Sequence, residues 1–342
     1  MIKKRKTMLI IIIGGVLLIT AMAVGVFLLE NKNYDKNKSL VTVTVAPKWV
    51  HQAQFAGMYM AIEKGFYAKR GIAVEFNDFT PGISSLSKVR NGEADFGLAN
   101  ASSIIVEAAK GNTVQALGVF YQHSPYAIIS LLGRDLHNPW QLKGKRIGIK
   151  GGTGSENELI AQLLLDTAGI TKDDVELLSL SLDSSERDDL IREEVDAIGF
   201  YRTRVHLFEK EGIAYELIKP EQYGIVSYND VLIADPAFVK AQPELVRNFV
   251  AATIEGWDYA LDHQEEAVQV TMNYVTHEEY KDIEYQRSIL RESGPLIRPS
   301  KRFDIGSMDM KKWSRLSETI FSHQSVGATV NLEDIVSDIY LP

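Results

Sequence analysis

The chain has 342 residues, 45% of them hydrophobic and 24% charged, which is enough apolar material for a sizeable core and argues against a disordered or fibrous protein. Its net charge is -8, and seven of its 37 Lys and Arg residues crowd into the first forty positions beside two of its 45 acids. The remainder is therefore more acidic still and would repel a phosphate backbone, which argues against a nucleic-acid partner. No cysteine is present, so disulfides, thiolate nucleophiles, cysteine-ligated metals and a lipid-modified cysteine tether are all excluded.

From Met8 to Leu29 no side chain is charged, and an apolar helix of about 20 residues is what a bilayer core about 30 Å thick requires. Lys3, Lys4, Arg5 and Lys6 precede it, which keeps the N-terminus in the cytoplasm and sends the rest of the chain across. A cleaved signal peptide competes with this reading, because Ala21-Met22-Ala23 fits a small-x-small cleavage pattern. Val24 to Leu29 nevertheless continue the apolar run past that point. The expectation is a transmembrane anchor over about 8–29, a polar linker to residue 40, and a folded domain held at the cell membrane on the extracytoplasmic side.

The domain opens on Val41 to Val45, whose alternating branched residues predict a strand, ended by Pro47. A helix follows over Gln54 to Lys64, stopped at Gly65, and Ile72 to Phe76 alternate as a second strand. Helices over 86–90 and 102–110 then interleave with strands over 95–99 and 114–120, and 128–132 reads as the strand that leaves this first set. Strands separated by helices of this length predict βαβ units and a largely parallel sheet. A second set begins after Asn138-Pro139, with strands over 146–149, 175–180, 196–200 and 215–218 and helices over 156–167 and 202–211. From Val231 long amphipathic helices dominate, notably Pro243 to Asp262 and 265–275, with Trp313 in a further helix. The fold class is α/β.

Catalytic constellations are missing. The seven histidines are scattered, none forms a His-Glu-x-x-His pair, and most read as surface residues. There is no Gly-x-Ser-x-Gly elbow and no cofactor motif, so neither a catalytic nor a metal site is expected.

Three kinds of position point to binding. Ligands of open α/β sheets sit at the carboxyl ends of strands. That rule selects Trp49 and Gln52 after the first strand, Asn100, Ser102 and Ser103 after 95–99, and Tyr121 and Gln122 after 114–120. The competing reading is core for Trp49 and helix capping for Asn100 and Ser102. Gly151 to Ser155 lies between a strand and a helix, where Gly152, Thr153, Gly154 and Ser155 offer backbone donors at the helix's positive end. It is neither a Walker nor a Rossmann loop, and a tight turn capped by Ser155 explains it equally well. Tyr223, Asn229 and Asp230 lie where the second set ends, at the crossing between lobes where cleft residues gather; a surface turn is the alternative.

The segment Gln54-Phe55-Ala56-Gly57-Met58-Tyr59-Met60-Ala61-Ile62-Glu63-Lys64-Gly65-Phe66-Tyr67 resembles the opening signature of substrate-binding proteins for thiamine-pyrimidine precursors, the formylaminopyrimidine type. Asn91 to Gly97, Leu142 to Gly148, Pro243 to Phe249 and Gly256 to Ala260 add to the likeness, which runs from about Val41 to the C-terminus. The resemblance implies a two-lobed type II periplasmic-binding fold that closes on a small aromatic nitrogenous ligand and delivers it to an ABC permease, without catalysis. It implies ring stacking near Trp49 and use of the loop at Gly151 to Gly154. Fungal pyrimidine synthases of the same superfamily need a histidine, which falls here on Phe55, and a cysteine cluster that this chain lacks. Sulfonate, nitrate and riboflavin binders share the fold, and a sensor module of a signalling system would share the architecture. The expected division is lobe one over 41–136 and 227–342, and lobe two over 137–226.

Overall fold

A computed structural model describes residues 40–150, 155–180, 186–323 and 330–342. The expected anchor at 8–29 and the loop residues Gly152, Thr153 and Gly154 lie outside them. Among the described residues no helix is long and apolar enough to cross a membrane.

Among the described residues ten strands form two five-stranded sheets. The first part of the chain gives β1 (Val41–Ala46), α1 (Ala56–Glu63), α2 (Phe66–Lys69), β2 (Ile72–Phe76), α3 (Ser85–Arg90), β3 (Phe96–Ala99), α4 (Ala101–Ala109) and β4 (Gln115–Tyr121). There follow β5 (Tyr126–Leu131), β6 (Arg146–Lys150), α5 (Glu156–Thr167), β7 (Glu176–Leu180), α6 (Glu186–Ile191), β8 (Ala197–Tyr201), α7 (His206–Glu209) and β9 (Tyr215–Ile218). The chain then returns through β10 (Asn229–Ala234) and ends in α8 (Pro236–Ala241), α9 (Pro243–Asp262), α10 (Gln264–Met272), α11 (Ile283–Ile297) and α12 (Met310–His323).

The first sheet has the order β2-β1-β3-β10-β4 and the second β7-β6-β8-β5-β9. In each, one strand runs against its two neighbours: β10 against β3 and β4, and β5 against β8 and β9. These are the two strands that follow the crossings, so each passage between sheets inserts an antiparallel strand on arrival. The strand near 128–132, assigned above to the first lobe, thus pairs in the second sheet, and the change of sheet falls at 122–125 rather than at residue 136. Its apolar run Tyr126 to Leu131 carries no mark of which sheet it joins, because it is buried on both faces. The reading of 202–211 as one helix is also corrected, to a turn of 3-10 helix over Arg202–Arg204 followed by the short α7.

One apolar cluster runs through both halves, joining Ile104, Val119 and Val231 of the first to Ile147, Ile160 and Leu163 of the second, with Trp313 of α12 among them. Helix α12 packs on both α4 and α5. The crossings are braced from the same side. Gln122 donates its side-chain amide to the carbonyls of Val119 and Ser307, each at 3.0 Å, and Lys312 donates to the Gln122 carbonyl with its ammonium 4.0 Å from the centre of the Tyr228 ring.

Candidate functional site

A cavity of about 470 Å³ opens at the carboxyl ends of β1, β3, β6 and β8. On the first-sheet side the chain leaves β1 through Pro47 and turns at Ala53–Phe55 into α1. The turn is pinned from α11, where Gln286 Oε1 accepts from Ala53 N and Gln286 Nε2 donates to the Tyr280 carbonyl, both at 2.7 Å. This bracing holds the half-buried Trp49 in the cavity wall. Trp49 packs on Phe79 with ring centres 4.7 Å apart and planes tilted by 45°, and its Nε1 donates to Tyr280 Oη at 3.3 Å. Two aromatic rings so placed offer a flat solute an apolar face and an edge.

Beside that wall stands a buried polar network. Gln52 Nε2 donates to Gln54 Oε1 at 2.7 Å, and Gln54 Nε2 donates to Asp230 Oδ2 at 2.8 Å and Oδ1 at 3.0 Å. Asp230 Oδ1 lies 3.1 Å from Lys48 Nζ, which also donates to Asn100 Oδ1 at 2.5 Å and to Asn229 Oδ1. Burial pushes the Asp230 carboxyl above its ordinary range, against the pull of Lys48 and Gln54. Asn229 Nδ2 reaches Tyr201 Oη at 3.3 Å, so the network crosses to the second sheet. One atom in it is unanswered: Gln52 Oε1 is buried without a partner, on a residue only 4% exposed that lines the cavity. A buried carbonyl oxygen left unpaired costs about 1–3 kcal/mol.

The second-sheet side contributes Lys150 at the end of β6, Tyr201 at the end of β8, and Arg204 just beyond it. Arg204 is buried, donates through Nε to Tyr285 Oη at 2.9 Å, and lies against the rings of Phe200 and Tyr280. Ser155 caps α5 by accepting from Glu158 N at 3.2 Å, and also lines the cavity.

Of the positions selected from sequence, Trp49, Gln52, Asn100, Ser103 and Ser155 line this cavity. Asn229 and Asp230 stand one layer behind, holding Lys48. Asp230 has a positive φ of 48°, but it is no surface turn: Asn229 and Asp230 begin a strand whose six residues are all buried. Gln122 does not line this cavity and braces the crossing. Ser102 is fully buried in α4 and its neighbour Ser103 lines the cavity instead, because one residue rotates a helix by about 100°. Tyr223 also lies outside the lining and packs edge-on against Trp140 at 5.7 Å.

Lys48, Gln54, Tyr201 and Arg204 were not selected from sequence. The strand-end rule that picked Trp49 points equally to its neighbour Lys48 and to the residues after β8. Of the histidines, His51 is buried rather than exposed, its Nδ1 2.6 Å from Tyr59 Oη and its Nε2 2.9 Å from Asp78 Oδ1. Among the described residues no group of three or more His, Asp or Glu could hold a metal ion.

A model of the NMT1/THI5-like family matches residues 52–267. The formylaminopyrimidine-binding protein of Halalkalibacterium halodurans is 24% identical over 317 residues, covering 91% of this chain and 94% of its own length. The riboflavin-binding protein RibY of Chloroflexus aurantiacus is 24% identical over 310 residues, covering 89% of this chain and 87% of its own. Among solved structures, the periplasmic aliphatic sulphonate binding protein of Escherichia coli superposes with a TM-score of 0.68 at 16% identity, covering 87% of this chain and 92% of that one. The two-sheet architecture is therefore the periplasmic-binding-protein fold.

Proposed function

The chain belongs to the NMT1/THI5-like family, and from that premise we propose that it is the extracytoplasmic solute-binding component of an ABC-type importer, tethered by its uncharged segment at 8–29. Its ligand is a flat nitrogen heterocycle of the pyrimidine or flavin kind, in line with what the two relatives are named for binding.

The observation that carries the reading is the cavity between the strand ends. It pairs an aromatic wall, Trp49 with Phe79, with the amide side chains of Gln52 and Asn100, groups that can hydrogen-bond the ring nitrogens and amino groups of a heterocycle. Both sheets line it, so a ligand that touches both favours the shut arrangement by its differential contacts. Among the described residues the lining contains no carboxylate and no imidazole, the groups general acid–base chemistry most often uses, which favours a binder over an enzyme.

A thermal-shift screen of the full-length protein against pyrimidine thiamine precursors, flavins, alkanesulfonates and nitrate tests the proposal. Stabilisation by a heterocycle at micromolar concentration is the expected outcome. A shift confined to alkanesulfonate or nitrate contradicts it.

A further inference from the structure

The two rings of the aromatic wall stand on separate segments of the chain, and one hydrogen bond ties those segments together. Trp49 lies two residues before His51, and Phe79 directly follows Asp78. His51 Nε2 is 2.9 Å from Asp78 Oδ1, and His51 Nδ1 is 2.6 Å from Tyr59 Oη. A carboxylate only accepts, so Nε2 carries the proton and donates it to Asp78, while Nδ1 accepts from the Tyr59 hydroxyl. Burial holds that hydroxyl well above its ordinary range, so it keeps the proton it donates. The imidazole cannot swing away. It is 7% exposed, meets Phe76 edge-on at 5.0 Å, and lies beside Tyr59, which stacks on Tyr274 at 4.1 Å.

At the other end of the tie is a strap. Residues 77–84 join β2 to α3 and bring Phe79, Gly82, Ile83 and Ser84 to the cavity wall. Thr80-Pro81-Gly82-Ile83 is a tight turn closed by Ile83 N donating to the Thr80 carbonyl at 3.0 Å, with Gly82 at a φ of 79° that a glycine adopts without strain. From α3 the buried Lys88 ammonium donates to Asn77 Oδ1 at 2.8 Å and to the Asp78 carbonyl. Lys88 thus fixes the root of the strap, and the Asp78 side chain, 69% exposed, ties it sideways to the Trp49 segment. We infer that Asp78 and His51 are positioning residues of the binding site: neither lines the cavity, and together they set the spacing at which Phe79 meets Trp49. A wall formed before a ring arrives avoids the cost of ordering two aromatic side chains on binding. This role rests on the heterocycle reading above, since it matters only if a ring is held there.

The test is isothermal titration of the full-length protein with riboflavin and with formylaminopyrimidine, alongside melting temperatures. Asp78→Ala is expected to weaken the compound that wild type binds by about fivefold, what one hydrogen bond is worth. Its melting temperature should hardly change, because the side chain removed is exposed. Asp78→Asn, which keeps an acceptor oxygen for His51, is expected to bind as wild type does. In a Phe79→Ala background the same Asp78→Ala change is expected to cost less than about twofold, because the ring it positions is gone. If Phe79→Ala fails to fold, Phe79→Leu supplies the background. A contact that merely holds the fold would lower the melting temperature and cost the same in both backgrounds, and that result would overturn the positioning role. So would full affinity in Asp78→Ala. Either result leaves the heterocycle reading standing, whereas neither compound binding to wild type would overturn both.

Discussion

Trp49 is held on both edges, by Phe79 and by the Tyr280 hydroxyl, so its place in the cavity wall does not depend on a ligand being present. Replacing it removes stacking surface without opening the core, because the side chain is only half-buried. Trp49→Ala is expected to weaken heterocycle binding at least tenfold, about 1.4 kcal/mol or more, with the melting temperature little changed; an unaltered affinity would take the indole out of the site. Lys312 reports on the crossings, where it meets the Gln122 carbonyl and the Tyr228 ring. Burial lowers its ammonium to about 8, so between that value and the free-lysine value near 10.5 the unfolded chain binds the proton that the folded one has lost. Stability then rises with pH through this window, and the cost of burying the charge is felt in full below it. The stability of wild type relative to Lys312→Met is expected to improve by ~1 kcal/mol between pH 7 and pH 9.5, allowing for partial exposure, as urea unfolding at the two pH values would measure. A flat difference would mean that Lys312 is not buried as described. Trp49 and Asn100 were legible from sequence because the strand-end rule needs only a strand and its direction. Lys48 and Arg204 were missed because a cation in sequence looks like surface, and only three-dimensional neighbours such as Asp230 and Tyr285 explain its burial.

Among the elements, the alternation of strands and helices was readable almost throughout, from β1 to β9, since period-two runs and glycine stops are local signals. Strand β10 was not. Asn229 and Asp230 look like a turn, and they stay buried only because Lys48, Gln54 and Tyr201 satisfy them, all far away in sequence. Helix α9 illustrates the opposite case, a long amphipathic pattern whose partner the sequence does not disclose. It crosses α1 at Gly57 and Gly256. A Cβ on Gly256 would sit 2.1 Å from the Gly57 carbonyl oxygen, and one on Gly57 would sit 2.2 Å from the Trp257 ring. Backbone cannot yield as a side-chain tip can. Gly256→Ala is therefore expected to destabilise the domain by about 1–3 kcal/mol, read as a lower denaturant midpoint, whereas full stability would show that the helices can separate without cost.

For the molecule as a whole, the arrangement that matters is two sheets presenting their strand ends to one cavity while a shared apolar cluster and α12 tie them together behind it. Under the proposed function a solute trapped there is enclosed without being attacked, as transport requires. The most direct check is equilibrium dialysis of the full-length protein against pyrimidine and flavin heterocycles, neutral and anionic, with the retained compound identified by mass spectrometry. The account predicts one equivalent held per chain, released on denaturation with its mass unchanged. Recovery of an altered compound, or retention of no heterocycle at any concentration up to millimolar, would contradict it.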